Sequence, residues 1–554
     1  MPGNFALQDS KSVLLLGEPM TRQVNSVRWI QVGRLLVLVA ALWLAAGIVE
    51  AQTYTDLFDF DVTHGSSPSY PQVLAQGQDG NLYGTASVGK FNAGVVFRVD
   101  SAGSLTVIHN FNKDGSEPNA GLSLGLDGNF YGSTVLGGSA NLGEIFQVTP
   151  GGTVTVLYSF TGKKDGEYPY APPVLGRDGN FYGVTQAATA YKVTPTGAFT
   201  LLGTIPDRSV APLWLGTDGN LYGTTQHGGK SNQGTVFKMT SAGTITVIHD
   251  FDSTNGGVPW GGVVQGADGN FYGTAAGGGS GEGGVVFRLT PGGNYKVLHN
   301  FPVGVGSDGN DPIAGLVATT DGNFYGATFS GGTDGYGVLF KVTSAGKYTL
   351  VYNFDKTHGG DPSSNLVQHT NGVVYSMAGI GGSRGDGVFY GLDLGLGSFV
   401  EMVLASGKVG NTVQILGAGF NSATKVKFNG TKANFTIVSD TYLTAKVPAG
   451  SSTGPVTVTT SAGTLTSNVS FTVLPKIVSF NPTSGPVGTP VVITGNTFTG
   501  ATKVTFGGVK ATVFSVDSDT QITATVPTGA KTGKIGVTTP SGSGKSSQAF
   551  TVTP

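Results

Sequence analysis

The sequence predicts an all-β protein, in which a seven-bladed β-propeller precedes two immunoglobulin-like (E-set) β-sandwiches. Three observations support this prediction. A unit of about 50 residues recurs seven times between residues 53 and 396. A second unit recurs once, at an offset of 78 residues, after residue 397. Neither set of repeats contains a stretch with helical periodicity.

The composition limits the possible functions of the 554-residue chain. Glycine is abundant, at 91 residues, and charged residues make up only 12 %. The formal net charge of -2 gives the whole chain no basic field for nucleic acid, so no nucleic-acid partner is expected. There are no cysteines, which excludes disulfides, thiolate metal sites and cysteine nucleophiles.

Residues 1–51 are predicted to be a secretory signal peptide. An apolar run of 15 residues, 35–49, follows three arginines and precedes the small residue Ala51. The run is shorter than the roughly 18 residues expected of a membrane span. The alternative is an uncleaved N-terminal anchor, the only membrane attachment the sequence suggests. Met20 is an alternative start.

Each unit of residues 53–396 contains the string Asp-Gly-Asn-(Leu/Phe)-Tyr-Gly or an altered copy. The copies begin at Asp79, Asp127, Asp178, Asp218, Asp268, Asp321 and Asn371. Asp-Gly-Asn between apolar runs is typical of a tight hairpin turn, because Gly and Asn adopt positive φ at low cost. Each unit has four short β-type segments, as a propeller blade does. An open solenoid is the alternative architecture.

The position of the fourth segments indicates a closed ring. Six units supply their own, whereas the seventh does not, and Asp56–Phe60 in front of the first unit matches the missing one. We therefore predict that 54–60 pairs with 388–392, so that the ring has no open edge.

Residues 397–474 and 475–554 are predicted to be two small sandwiches. Gly407-Lys408-Val409-Gly410 corresponds to Gly485-Pro486-Val487-Gly488, and short alternating strands with Gly and Pro turns surround both.

Two resemblances follow from these motifs. The recurring Asp-Gly-Asn-Phe-Tyr-Gly, Phe340-Lys341-Val342-Thr343 and Val297-Leu298-His299-Asn300-Phe301 pieces resemble the bacterial GloVer tandem-repeat family. This resemblance implies an extracytoplasmic protein with a variable C-terminal module and no established activity. The segments 482–488 and 491–495 look like IPT/TIG domains, which implies immunoglobulin-like folds without a disulfide.

The candidate binding site lies where the repeat breaks. In the third unit, Tyr182 and Tyr191 are 9 residues apart, against 14 or 15 in the other units. The longer loops share one face of a propeller and carry most sites. Aromatic residues and one Asp-Arg pair near this break predict a site for a sugar face or a peptide; simple decay of the repeat is the alternative. The candidate residues are Asp207, Arg208, Trp214, Trp260, Tyr168 and Tyr170.

No catalytic, metal or cofactor site is predicted. Each turn offers one Asp, whereas calcium needs about 6–8 oxygen ligands. His109, His249 and His299 share a repeat position with Tyr or Phe in other units, which indicates ring packing. We therefore expect no enzyme but a secreted or cell-surface binding or scaffold protein for a glycan or an extracellular protein. The alternatives are a propeller enzyme acting on carbohydrate, such as a lyase or hydrolase, and a structural spacer.

Overall fold

The computed structural model describes residues 52–66, 68, 72–112, 114–304 and 308–554. The predicted signal peptide lies outside these residues. Across the described ranges, no helix is long and apolar enough to cross a membrane. The described chain from Gln52 onward forms one compact unit.

Seven four-stranded antiparallel sheets form the blades, numbered 1 to 7 in the order of the Asp-Gly-Asn copies, with strands A to D from the axis outward. Blade 1 comprises Ala75–Gln76, Leu82–Ala86, Val95–Val99 and Leu105–Asn110. Blade 2 comprises Leu122–Leu124, Phe130–Thr134, Glu144–Val148 and Val154–Ser159. Blade 3 comprises Val174–Leu175, Phe181–Val184, Thr189–Val193 and Phe199–Thr204. Blade 4 comprises Trp214–Leu215, Leu221–Thr225, Thr235–Met239 and Ile245–Asp250.

The remaining blades follow the same plan. Blade 5 comprises Val264–Gln265, Phe271–Ala275, Glu282–Leu289 and Tyr295–Pro302. Blade 6 comprises Val317–Ala318, Phe324–Thr328, Val338–Val342 and Tyr348–Asn353. Blade 7 comprises Val367–Gln368, Val374–Ala378, Val388–Asp393 and, as its outer strand, Thr53–Asp59. Thr53 pairs with Asp393 and Asp59 with Val388, which confirms the predicted ring closure.

Aromatic rings pack the blades against one another. The Tyr of each Asp-Gly-Asn-x-Tyr unit lies in strand B, and several stack on the first aromatic residue of strand B in the next blade, as Tyr131 does on Phe181 at 3.8 Å between centroids. A second stack runs along the D strands, where His249 lies on Tyr295 at 3.8 Å and His299 on Tyr348 at 4.0 Å. The packing role predicted for these two histidines is confirmed, and burial lowers the pKa of both.

Residues 397–474 form sandwich 1, around a core that includes Val426, Phe428 and Leu443. Its first sheet has the order Glu401–Met402, Thr412–Leu416, Tyr442–Lys446, Phe435–Ile437. Its second sheet has the order Thr431–Ala433, Lys425–Phe428, Val456–Thr460, Gly463–Thr466. Ser406–Lys408 pairs in parallel with Thr472–Leu474, and Phe420–Ser422 forms a 3-10 turn.

Residues 475–554 form sandwich 2, around a core that includes Ile493, Val504 and Val537. Its first sheet has the order Lys476–Asn481, Pro490–Asn496, Gln521–Thr525, Phe514–Ser518. Its second sheet has the order Ser484–Gly485, Gly542–Val552, Gly533–Thr539, Lys503–Phe506, Val509–Lys510. The all-β fold class predicted from the sequence is confirmed.

Candidate functional site

One face of the propeller carries the tight turns between strands A and B. In blade 1, the two carboxylate oxygens of Asp79 accept hydrogen bonds from the backbone N–H of Asn81 at 3.1 Å, its side-chain amide at 2.7 Å and the Tyr83 hydroxyl at 2.8 Å. The same Asp-to-Asn and Asp-to-Tyr bonds recur in blades 2 to 6, and in blade 7 Asn371 bonds to Tyr375 at 3.0 Å. The repeated Asp therefore closes its own turn, which is the role the sequence predicts.

The two sandwiches dock on this tight-turn face. Thr441 Oγ1 of sandwich 1 donates to the Gln78 carbonyl at 2.7 Å, and the Gln414 side-chain amide donates to the Leu126 carbonyl. From blade 3, Arg177 Nη1 donates to the Ser541 carbonyl of sandwich 2 at 2.9 Å.

These three docking residues occupy one repeat position, immediately before the turn Asp, and Thr370 at the same position of blade 7 accepts a hydrogen bond from the Phe399 N–H at 3.0 Å. This position holds Gln78, Leu126 and Arg177 in blades 1 to 3, but short side chains in the other four. The short residues are Thr217, Ala267, Thr320 and Thr370. Sequence reasoning missed these contacts, because those of Gln78 and Leu126 go to main-chain carbonyls, which no side-chain pattern reports.

The opposite face carries the longer loops. The loop that leads into strand A of a blade pairs with the loop between its strands B and C, as in the bridges Ser116 to Leu136 and Gly257 to Gly277. Within the described part of the chain, no hydrogen bond links a sandwich to this long-loop face.

Five of the six candidate residues lie in three neighbouring loops of the long-loop face. Tyr168 and Tyr170 lead into blade 3, Asp207 and Arg208 into blade 4, and Trp260 into blade 5. All except Arg208, which is exposed, are partly buried.

Repeat-equivalent positions explain this grouping. The carbonyls of Tyr168 and Arg208 accept the same loop hydrogen bond, from the N–H of Gln186 at 3.1 Å and of Gln226 at 3.0 Å. Tyr170 lies two residues after Tyr168, and Trp260 lies two residues after the equivalent position in blade 5. Tyr170 and Trp260 therefore occupy equivalent positions of their loops.

Trp214, the sixth candidate, lies apart from these loops, in the innermost strand of blade 4. It pairs with Tyr222, and its side chain packs, partly buried, against hydrophobic clusters that contain Tyr222 and Val264. This environment is that of an interblade packing residue.

The Asp207 and Arg208 side chains bind different partners. Asp207 accepts a hydrogen bond from the backbone N–H of Arg208 at 2.7 Å, whereas Arg208 Nη2 lies 2.6 Å from Nε2 of His227. A guanidinium group can only donate, so His227 Nε2 is the acceptor of this hydrogen bond. Sequence reasoning found no pattern for His227. His227 could have been found from the repeat, because the loop that carries it pairs with the loop that carries Arg208, and this pairing recurs in other blades.

The short loop of blade 3 lowers the rim beside these residues. Strand B ends at Val184 and strand C begins at Thr189, with Ala188 at a φ of +58° in the tight connection. In the described ranges, no group of three or more His, Asp or Glu side chains is arranged to hold a metal ion.

Comparison with protein families identifies the repeats. The Gloeobacter/Verrucomicrobia repeat profile matches residues 48–211 and 208–436. The chain belongs to this repeat family. The IPT/TIG domain profile matches residues 475–553, which correspond to sandwich 2. The resemblance to the repeat family and the resemblance of the C-terminal sandwich to IPT/TIG domains are thus confirmed, whereas an IPT/TIG domain in residues 397–474 stays a prediction. No curated protein matches the chain.

Solved structures similar to the chain include proteins of several kinds. A fungal alcohol oxidase of the AA5 family is 15 % identical, with 76 % of this chain and 98 % of that chain covered and a TM-score of 0.44. A gluconolactonase from Xanthomonas campestris is 12 % identical, with 63 % and 92 % covered and a TM-score of 0.35. A surface glycan-binding protein from Prevotella bryantii is 22 % identical, with 26 % and 38 % covered and a TM-score of 0.18. Likenesses this weak do not bear on activity.

Proposed function

We propose that this is an exported, non-catalytic binding protein and that the long-loop face of blades 3 to 5 binds a glycan. One observation carries the proposal. Neighbouring loops place Tyr170, Trp260 and the Arg208–His227 pair on one face, and the sandwiches dock on the other.

The chemistry of these side chains suits a carbohydrate. Flat aromatic rings give a large contact area at a low entropic cost, which matches the apolar face of a sugar ring. The guanidinium of Arg208 adds planar hydrogen-bond donors for hydroxyl or carboxylate oxygens. The short connection in blade 3 leaves room for a chain of sugars to cross the rim.

A glycan array on the purified protein, followed by calorimetry with the best oligosaccharide, tests the proposal. Trp260→Ala should weaken binding by about 1–3 kcal/mol, the range of an interface hot spot. Arg208→Ala should weaken it less. The matched control is Phe91→Ala, since Phe91 is an exposed aromatic residue of a long loop in blade 1. Equal affinities of Trp260→Ala, Arg208→Ala and the native protein would place the site elsewhere.

A further inference from the structure

The formal charge is divided unequally along the chain. Residues 52–396 contain 16 basic and 26 acidic residues, a net charge of -10. Residues 397–554 contain eleven lysines, no arginine and four acidic residues, a net charge of +7. The whole-chain value of -2 therefore conceals a basic C-terminal region, residues 397–554, and the expectation of no basic field fails for the sandwiches.

In sandwich 1, lysines gather on the outer face of the second sheet. Val426, Phe428 and Ala433 point into the core. The alternation of a β-strand therefore places the exposed Lys425 and Lys432, and Lys427 between them, on the solvent side. Lys427 and Lys432 are directly paired across strands, an arrangement of like charges that costs stability.

Sandwich 2 repeats this face on its own second sheet. Val504, Ile535 and Val537 point into the core, so the neighbouring polar residues of the same strands point outward. The outward lysines of this sheet are Lys503, Lys510, Lys534 and Lys545. Lys503 and Lys510 stand at the positions of Lys425 and Lys432, 78 residues later.

The acidic residues of the sandwiches do not neutralise these lysines. Asp440 accepts hydrogen bonds from the N–H groups of Gly419 and Asn421, and Asp519 from those of Thr497 and Thr499. Asp517 and Glu401 belong to the first sheets. In the described structure, no lysine of either second sheet forms an ion pair.

We propose that these two lysine faces bind an anionic polysaccharide. Charge complementarity provides the attraction, and lysines act as mobile point charges that suit the carboxylate or sulfate groups along a polymer. Hydroxyl side chains lie beside the lysines, at Thr457 and Thr459 in sandwich 1 and at Thr505 and Thr538 in sandwich 2. They supply hydrogen bonds for sugar hydroxyls. Two such faces on one chain would bind a repeating polymer with higher avidity than either alone.

The same faces suit other polyanions less well. The outward residues of the second-sheet strands include no aromatic ring on which a base could stack. They include no arginine for paired contacts to phosphate and no large apolar side chain that could enter a bilayer.

Binding of the full chain to immobilised polygalacturonate tests the proposal, with dextran as the neutral control polymer. We expect binding at 50 mM NaCl that falls by at least about tenfold at 300 mM, because salt screens exposed charges. The variant Lys425→Gln/Lys427→Gln/Lys432→Gln should lose about tenfold in affinity, and the combination with Lys503→Gln/Lys510→Gln/Lys534→Gln should abolish binding. The matched control is Lys163→Gln/Lys164→Gln/Lys347→Gln, which removes three exposed lysines of the propeller.

The same experiment also tests the other possible ligands of the lysine faces. Tighter binding to a 20-base-pair DNA duplex or to phosphatidylglycerol vesicles than to polygalacturonate would overturn the proposal. So would salt-sensitive self-association that the sandwich lysine variants abolish, since the acidic propeller of a second copy would then be the occupant. Equal loss of affinity in the propeller control would also overturn it. Trp260→Ala should leave polygalacturonate binding unchanged, so this proposal and the long-loop site fail independently.

Discussion

Tyr191 and Glu144 both depart from the blade repeat, and each buries a polar atom that has no hydrogen-bond partner in the described structure. In strand C, the position opposite the strand-B glycine holds Phe in blades 1, 2, 4, 5 and 6, but Tyr191 in blade 3. The Tyr191 hydroxyl is buried, and no hydrogen-bond partner for it exists among the described residues. Burial raises the pKa of Tyr191, so the hydroxyl stays protonated.

Tyr191→Phe should therefore raise the free energy of unfolding by about 1 kcal/mol, because it removes a polar group that is desolvated without compensation. Chemical denaturation of the two proteins measures the difference. Tyr182→Phe is the matched control, since the Tyr182 hydroxyl donates to Asp178 at 2.9 Å and its loss should destabilise the blade. A less stable Tyr191→Phe would mean that the native hydroxyl has a stabilising partner.

Glu144 is the second such residue. Six blades have Val or Thr at its position, whereas Glu144 is 5 % exposed and accepts a hydrogen bond from Ser159 at 2.7 Å with only one oxygen. Burial, and secondarily the charge of Asp114, raises the pKa of Glu144 above its ordinary 4.5. At a pH between 4.5 and this raised pKa, Glu144 of the native state therefore still holds a proton that it has already released in the unfolded chain.

The native protein should lose stability as the pH rises from 4.5 through this raised pKa, since ionising Glu144 favours the unfolded chain. Glu144→Gln keeps an acceptor for Ser159 and does not titrate. Its stability relative to the native protein should therefore increase across this interval and level off above it. Melting temperatures of both proteins between pH 4 and 8 provide the measurement. A difference independent of pH would show that Glu144 does not titrate there.

At the level of the element, the first strand determines whether the ring closes. Thr53–Asp59 supplies the outer strand of blade 7, and Tyr54 stacks on Tyr352 of blade 6 at 4.0 Å. The strand thus joins blade 7 to its neighbour and covers an edge that would otherwise be unpaired.

Deletion of residues 53–60 should lower the melting temperature of the propeller and broaden its transition, because the last blade loses its outer strand. Scanning calorimetry records both effects. A synthetic peptide of residues 53–60, added in excess, should restore part of the loss, whereas a scrambled peptide should not. An unchanged transition after the deletion would contradict closure by this strand.

At the level of the whole molecule, the sandwiches are held to the tight-turn face by contacts of few residues. Among the propeller residues that make these contacts, Arg177 has the longest side chain. It donates hydrogen bonds to the carbonyls of Ser541 in sandwich 2 and Thr217 in blade 4. Burial lowers the pKa of Arg177, which nevertheless remains charged at neutral pH.

Arg177→Ala should free sandwich 2 from the propeller while both domains stay folded. Hydrogen exchange should then speed up at 541–543, and the radius of gyration from X-ray scattering should increase. Lys192→Ala is the control, because Lys192 is a cation of the same blade that forms no hydrogen bond or ion pair with the sandwiches in the described structure. Unchanged exchange and scattering would show that the remaining contacts suffice.

Much of the architecture is determined by the sequence alone. The number of blades, the turn role of Asp79 and its equivalents, the displaced first strand and the packing role of His249 and His299 all follow from local patterns. Turn chemistry and the alternation of strands act over a few residues, and a repeat displays each pattern seven times. The family and the C-terminal IPT/TIG domain follow from the same motifs.

Only the tertiary structure decided which surfaces remain free. The partners of Gln78, Leu126 and Arg177 are Thr441, Gln414 and Ser541, which lie hundreds of positions away in the chain. No local pattern specifies such contacts. Folding likewise moved Trp214 into the blade interior and gave Arg208 the partner His227 instead of its neighbour Asp207. Strand pairing set Lys427 beside Lys432, because the direction of a side chain depends on which neighbour its strand pairs with and on which side the core forms.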